Sequence, residues 1–283
     1  MPRGPGPGGA ALHLLALMLV LWAFPALAQA PFSGAEWARF GGPAAGPTRI
    51  IGGTGLGCIA GAVQLPAEGP GFQAVRLFRN RHWGSPELVA FIRRFGAEAR
   101  ATGHPPLWIG DMSQPRGGPM PYGHASHQNG VDADIWLDLR PNRGAIGETA
   151  DPPSLVLPDQ SLADPARFTP AHAALIRLAA QQPGVDRILV NHGIKRSLCQ
   201  SHGGEAWLRR VRPWRGHDSH MHIRLRCPAD QPDCRDIPAP PPGDGCDASL
   251  QWWLSEEARN PRRGPPGPTP LMPAACGPVF SAH

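Results

Sequence analysis

Lysine is almost absent: Lys195 is the only one, so the formal charge of +5 rests on arginine. No basic run is interleaved with aromatic residues, so the footprint of a nucleic-acid binder is missing. A mildly cationic surface suits an anionic polymer better. Several catalytic signatures are absent too. No histidine is followed by glutamate, which removes the H-E-x-x-H helix of one large metalloprotease class. No serine lies in G-x-S-x-G, and three residues before Lys195 stands His192 rather than a serine. The nucleophile-elbow and S-x-x-K hydrolases are therefore excluded. No C-x-x-C occurs, which leaves a cysteine zinc site without its usual spacing.

One apolar run stands at the start. "AALHLLALMLVLWAF" follows Arg3 and ends before "ALA" at Ala26 to Ala28. It reads as a secretory signal over 1–28, cleaved after Ala28. It is short for a transmembrane helix, so no stable membrane anchor is expected. Cleavage removes Arg3 and leaves a charge of +4. All six cysteines lie beyond it: Cys58, Cys199, Cys227, Cys234, Cys246 and Cys276. An even count in an exported chain favours three disulfides. Cys227 with Cys234 can close a small loop, and Cys58 with Cys276 can tie the start to the tail, among fifteen pairings.

Residues 29 to 75 are rich in Gly, Pro and Ala and read as an irregular lead-in. A helix is expected after Ser85, which can cap it, with Pro86 in its first turn and Leu88, Ile92, Phe95 and Ala99 on one face. "PLWIGD" (106–111) reads as a buried strand and "SQPRGGPMPYG" (113–123) as a flexible loop. "DADIWLDL" alternates, with Ala133, Ile135, Leu137 and Leu139 on one face and Asp134, Trp136 and Asp138 on the other. A helix opens at Thr169 and Pro170, a strand covers 186–191, and a short helix covers 194–200. "SHMHIRLRC" alternates again, with His220, His222, Arg224 and Arg226 on its polar face. The mixture predicts an α+β fold with a central antiparallel sheet and flanking helices. One domain over 29–260 is expected, with a Pro-rich tail over 261–283 pinned to it by cysteine.

Five of the twelve histidines fall in two windows, 124–127 and 217–222. A catalytic zinc site commonly takes three ligands from His and Asp or Glu and leaves a fourth position for water. His127, Asp134 and His222 can supply that set if the two alternating segments meet. His220 lies about 7 Å from His222 along the strand, near enough to act on water without ligating. Asp132 and Asp218 are candidates to orient imidazoles. Trp214 and Tyr122 are candidates to line a groove.

With "GHASHQNGVDADIWL", "VRPWRGHDSHMHIRLRCP" and "GDGC" in view, the chain resembles the penicillin-insensitive murein endopeptidase family. That family belongs to a group with the lysostaphin-type and D-Ala-D-Ala metallopeptidases and the hedgehog signalling domain. The resemblance runs from "GCIAGA" near Cys58 to about Trp253. It implies a zinc peptidase of the periplasm that cleaves D-alanyl to meso-diaminopimelyl cross-links of peptidoglycan. It further implies His127, Asp134 and His222 as zinc ligands, with His217 and His220 beside the metal. It also implies disulfides pairing Cys58 with Cys276, Cys199 with Cys246, and Cys227 with Cys234. His124 matches a further metal-associated histidine of some members. Those members also carry an Asp and a His before the helix at Thr169, where this chain has Asp159 and Asp164 but no histidine. An auxiliary metal site is thus in question.

Without a glutamate base, the zinc-activated water needs a histidine: His220 as base and His217 as oxyanion or leaving-group partner, or the reverse. Two alternatives stand beside the endopeptidase. A zinc D,D-carboxypeptidase would use the same chemistry to trim terminal D-Ala. A non-catalytic cell-wall binding module would keep the metal for stability, though it would need neither His217 nor His220.

Overall fold

The computed structural model describes residues 1, 4, 29–141, 150–262, 264 and 267–282. The expected signal segment falls, but for Met1 and Gly4, outside the described residues. The N-terminal part holds α1 (Gly34–Trp37), β1 (Arg49–Gly53), β2 (Leu56–Ala60), β3 (Val63–Gln64), β4 (Glu68–Gly69), β5 (Phe72–Ala74) and β6 (Trp83–Gly84). The middle holds α2 (Pro86–Ala101), β7 (Leu107–Ile109), β8 (Asp132–Trp136), α3 (Pro170–Gln181), β9 (Val185–Val190) and α4 (His192–His202). β10 (Val211–Pro213), β11 (His220–Leu225), α5 (Ala248–Trp253), α6 (Glu256–Arg259) and α7 (Cys276–Ser281) follow.

Seven strands form one sheet in the order β10-β9-β11-β8-β7-β5-β4. Its centre, β9-β11-β8-β7, is antiparallel. The outer pairs β10-β9 and β5-β7 are parallel, so the sheet as a whole is mixed rather than purely antiparallel. Each parallel pair is joined by a crossover through helix, as parallel pairing requires.

β8 and β11 pair with Ile135 opposite Met221 and Ala133 opposite Ile223. These apolar residues are buried in the main core, against Ile92 and Phe95 of α2 and Ile176 and Ala179 of α3. α2 starts where its cap directs, with Ser85 Oγ accepting from the Leu88 amide at 3.2 Å. Alternation then forces Asp132, Asp134, His220, His222 and Arg224 onto the opposite face. β8 stops at Trp136, short of the alternation expected to Leu139. The Asp138 carboxylate turns back to accept from the Arg140 amide at 3.1 Å, which closes a turn there.

The lead-in is more regular than its composition suggests. β1 and β2 form a hairpin from Arg49↔Ala60 to Gly53↔Leu56. Its glycines obscure the strand pattern, yet a Cβ on Gly57 would lie 2.4 Å from the Ile51 oxygen. The 113–123 segment is also not a free loop. Residues 113–120 are buried, and Gln114 Nε2 donates to the Gly117 and Pro119 carbonyls at 3.2 and 2.9 Å.

A second apolar cluster joins α1, the hairpin and α7 through Trp37, Ile51, Cys276 and Val279. Arg116 Nη1 reaches the Val279, Phe280 and Ala282 carbonyls and closes the end of α7. Disulfides Cys58–Cys276, Cys199–Cys246 and Cys227–Cys234 pin the tail and the irregular C-terminal segments. No helix among the described residues is long and apolar enough to cross a membrane.

Candidate metal centre

The register of β8 and β11 places His222 directly opposite Asp134, and Arg224 opposite Asp132. The two alternating segments therefore meet across one strand pair. His127 joins them from the turn before β8, with its backbone in the left-handed region at φ 66°. A histidine there is uncommon and costs energy. The turn is held by the His127 amide donating to Asp132 Oδ2 at 3.3 Å.

Asp134 is the hub. Its Oδ1 lies 3.3 Å from His127 Nε2, 3.1 Å from His222 Nδ1 and 3.7 Å from His220 Nε2. Its Oδ2 lies 3.6 Å from His124 Nδ1. The His127 and His222 rings stand 4.6 Å apart, and His124 and His127 4.5 Å. One ligand atom each from His124, His127 and Asp134 lies within 4.8 Å of the others. His222 Nδ1 approaches Oδ1 of the same carboxylate, so all four expected metal-associated residues converge.

Asp134, His127 and His222 are almost wholly buried. Both ring nitrogens of His127 and Oδ1 of Asp134 lack a hydrogen bond of good geometry. Buried polar atoms left this way are costly, and a cation between them removes the cost. Burial pulls Asp134 upward, but His127, His220 and His124 outweigh it and hold the carboxyl well below its ordinary range. Burial lowers His127, so that ring is neutral and offers a lone pair. Two imidazoles and a carboxylate form a ligand set for a borderline divalent metal.

Asp132 organises the layer beneath. It lies 3.2 Å from His222 Nε2 and takes both Nε and Nη2 of Arg224 at 2.9 Å. That pairing directs the Nδ1 edge of His222 toward Asp134. A carboxylate behind a ligating histidine is a recurrent support for metal sites.

Sequence reasoning missed Asp111. It stands one residue beyond the Gly110 amide that donates to the Asp134 carbonyl at 2.8 Å. Its Oδ2 accepts from Arg81 Nη1 at 2.9 Å and Arg79 Nη1 at 3.1 Å, and lies 3.0 Å from His124 Nε2. Burial would raise this carboxyl, yet the hydrogen bond to His124 and the charges of His124 and Arg81 lower it to about 2. It thus holds His124 as a second oriented imidazole. The available signal was a carboxylate ending a buried strand, with Arg79 and Arg81 spaced to face it.

His220 and His217 stand at the open side, their rings 4.8 Å apart. Burial lowers both, His217 to about 3, so both are neutral imidazoles near neutral pH. His217 Nδ1 lies 2.7 Å from the Arg215 carbonyl. Donation there leaves Nε2 free to take a proton. His217 also has a left-handed backbone, at φ 54°. A cleft of about 340 Å³ opens over the centre, lined by Asp134, His124, His220, Asp111, Trp136 and Arg76 among others.

The remaining candidates lie elsewhere. Asp218 lines the cleft, while Tyr122 is exposed and packs on Arg81, and Trp214 packs on Trp253. Neither aromatic lines the cleft, so the expected groove lining does not form from them. Asp159 and Asp164 accept from the Ser161 and Ala166 amides in local turns of their own.

Residues 50–281 match the model of a family described as penicillin-insensitive murein endopeptidase. Proteins named penicillin-insensitive murein endopeptidase from Salmonella heidelberg (strain SL476), Salmonella paratyphi B (strain ATCC BAA-1250 / SPB7) and Salmonella newport (strain SL254) are each 40% identical to the chain over 271 residues. The similarity covers 95% of this chain and 98% of each relative. With a candidate metal centre where that chemistry needs one, the chain belongs to the penicillin-insensitive murein endopeptidase family.

Proposed function

We propose that the protein is a zinc-dependent D,D-endopeptidase that hydrolyses D-alanyl–meso-diaminopimelyl cross-links of peptidoglycan in the periplasm and is indifferent to penicillin. The observation that carries this reading is the buried Asp134 carboxylate, faced by His127 and His222 and overlooked by two neutral imidazoles. Three disulfides support a compartment outside the cytoplasm.

His127, Asp134 and His222 would hold the ion, with His124 as a further ligand or neighbour held by Asp111. Zinc bound there would acidify a water and polarise the scissile carbonyl. The chain's residues do the rest. Asp132 fixes the ring of His222, and burial keeps His220 neutral, so His220 can accept a proton from the attacking water. The carbonyl carbon gains the water oxygen, the carbon–nitrogen bond breaks, and the departing amine needs one proton. The proton that His220 accepts can reach that amine through His217, whose ring lies 4.8 Å from that of His220 and whose Nε2 is free to take it and pass it on. No serine nucleophile takes part, which accounts for indifference to penicillin.

The test is mass spectrometry of purified cross-linked muropeptide dimers incubated with the mature protein in the presence of penicillin. Monomers that appear, vanish with chelator and return with zinc are the expected result. Intact dimers would overturn the reading, and loss of only a terminal alanine would replace it with the carboxypeptidase.

A further inference from the structure

The loop from Trp214 to Ser219 has two sides. Asp218 and Ser219 line the cleft over the metal centre. Trp214 and Arg215 face away from it, toward α5 and α6. There the Trp214 ring lies 5.5 Å from Trp253, which lies 5.2 Å from Trp252. Trp214 and Trp252 are 50% and 47% exposed, among the few large apolar side chains left in solvent. Beside them a shallow hollow of about 580 Å³ is lined by Arg215, Trp252, Glu256 and Asn260. The loop is fixed to this side, because the Trp214 amide donates to the Val190 carbonyl and Arg215 Nε donates to the Ala258 carbonyl.

The Trp214 and Trp252 rings, tilted 47° and 81° to the more buried Trp253 between them, form an exposed apolar cluster of the kind that marks an interaction site. Their flat faces suit a partner that offers C–H surface, while a rim of guanidinium, carboxylate and amide suits one that also offers hydroxyl and amide groups. A pyranose bearing an acetamido group has both. A protein partner would call for a broader face than these rings offer, about 800 Å² a side. Position supports the same choice. Trp214 and His217 are three residues apart, so their Cα atoms are separated by about 11 Å at most. A stem peptide of about four residues spans about 13 Å extended, so a sugar bearing the stem can reach the tryptophans while its cross-link lies in the cleft.

We propose that Trp214, Trp253 and Trp252, with Arg215 and Asn260, form a subsite for the N-acetylated amino sugars of the glycan strand that carries the cleaved stem. The subsite anchors substrate and leaves the chemical step alone. It rests on the endopeptidase reading for its substrate, though sugar binding can be read without turnover.

The test compares wild type with Trp252→Ala and Trp252→Phe in two assays. Peptide-free glycan strands, released from peptidoglycan by amidase treatment, are titrated against each protein. Cleavage is then measured on cross-linked dimers that keep their disaccharides and on the same cross-linked peptides without sugar. Wild type is expected to bind the strands and to show a lower KM on the sugar-bearing dimer. Trp252→Ala raises that KM about fivefold, with kcat unchanged, as expected for one lost aromatic contact, and leaves the sugar-free peptide unaffected. Trp252→Phe retains most of the binding, and that retention separates lost stacking from misfolding. Strands that do not bind, or a Trp252→Ala effect equal on both peptides, overturn the subsite. A changed oligomeric state with unchanged sugar binding would make the patch a protein contact instead and also overturns it. Failure of wild type to cleave either peptide, with strand binding intact, would instead count against the endopeptidase reading.

Discussion

His127 and His217 hold left-handed backbones that histidine adopts only under constraint. Each has a polar partner: Asp132 accepts from the His127 amide, and the Arg215 carbonyl lies 2.7 Å from His217 Nδ1. Asp132 has the larger share, because it also backs His222 and neutralises Arg224. Asp132→Asn is therefore expected to weaken metal affinity by about 10–100-fold, read by competition with a chromophoric chelator. Unchanged affinity would show that the carboxylate only fills space. Proton linkage follows from the same cluster. In the metal-free protein burial lowers His222, but Asp132 and Asp134 outweigh it and raise it to about 9. The ring is then protonated at pH 7 and must lose that proton to ligate. Calorimetry in buffers of different ionisation enthalpy should show about one proton released per metal at pH 7. The affinity should rise about tenfold per pH unit between 6.5 and 8. The sign for stability is opposite. A raised imidazole stabilises the metal-free fold fully below its ordinary value of 6.5 and loses that contribution as pH rises through about 9.

At the scale of elements, the site is a product of register. One residue of slip of β11 against β8 would turn His222 toward the core and expose Met221. The strands are held in place from behind by α2, whose start depends on a buried serine cap. Ser85→Ala is expected to cost about 1 kcal/mol, visible as a lower urea midpoint with an unchanged slope. A stability equal to wild type would mean that α2 is set by packing alone. This layer was the most legible in the sequence. Period-two alternation identified both strands and their polar faces, and Ser85–Pro86 marked the start of α2. The β1–β2 hairpin was hidden because glycine carries no side chain to alternate. Asp111 was hidden because its partners, the Arg79–Arg81 pair and His124, lie in two stretches on either side of it, and only the fold brings them to one carboxylate. The parallel outer pairs were equally unreadable, since alternation fixes a strand's faces but not its neighbours.

For the whole molecule, a small satellite core and three covalent ties close a chain whose tail is poor in secondary structure. Cys58–Cys276 spans 218 residues and joins the hairpin to α7. Replacing both cysteines by serine is expected to cost about 2–5 kcal/mol in denaturant unfolding, with the metal centre kept because no ligand lies on α7. Loss of metal in that variant would show that the tail supports the site as well as the fold. The larger layout places a buried cluster of candidate ligands at the floor of a cleft, neutral imidazoles at its side, and a group of tryptophans behind the same loop. That arrangement suits a polymer held at two points while one bond is cut.

The chemistry of the centre depends most on which side chains take the metal. Anomalous diffraction at the zinc edge from crystals of the zinc-loaded protein answers this directly. One peak about 2.0–2.2 Å from His127, Asp134 and His222, with His220 and His217 outside bonding distance, is the predicted result. A peak bound by His220 or His217, or none at this carboxylate, would contradict it.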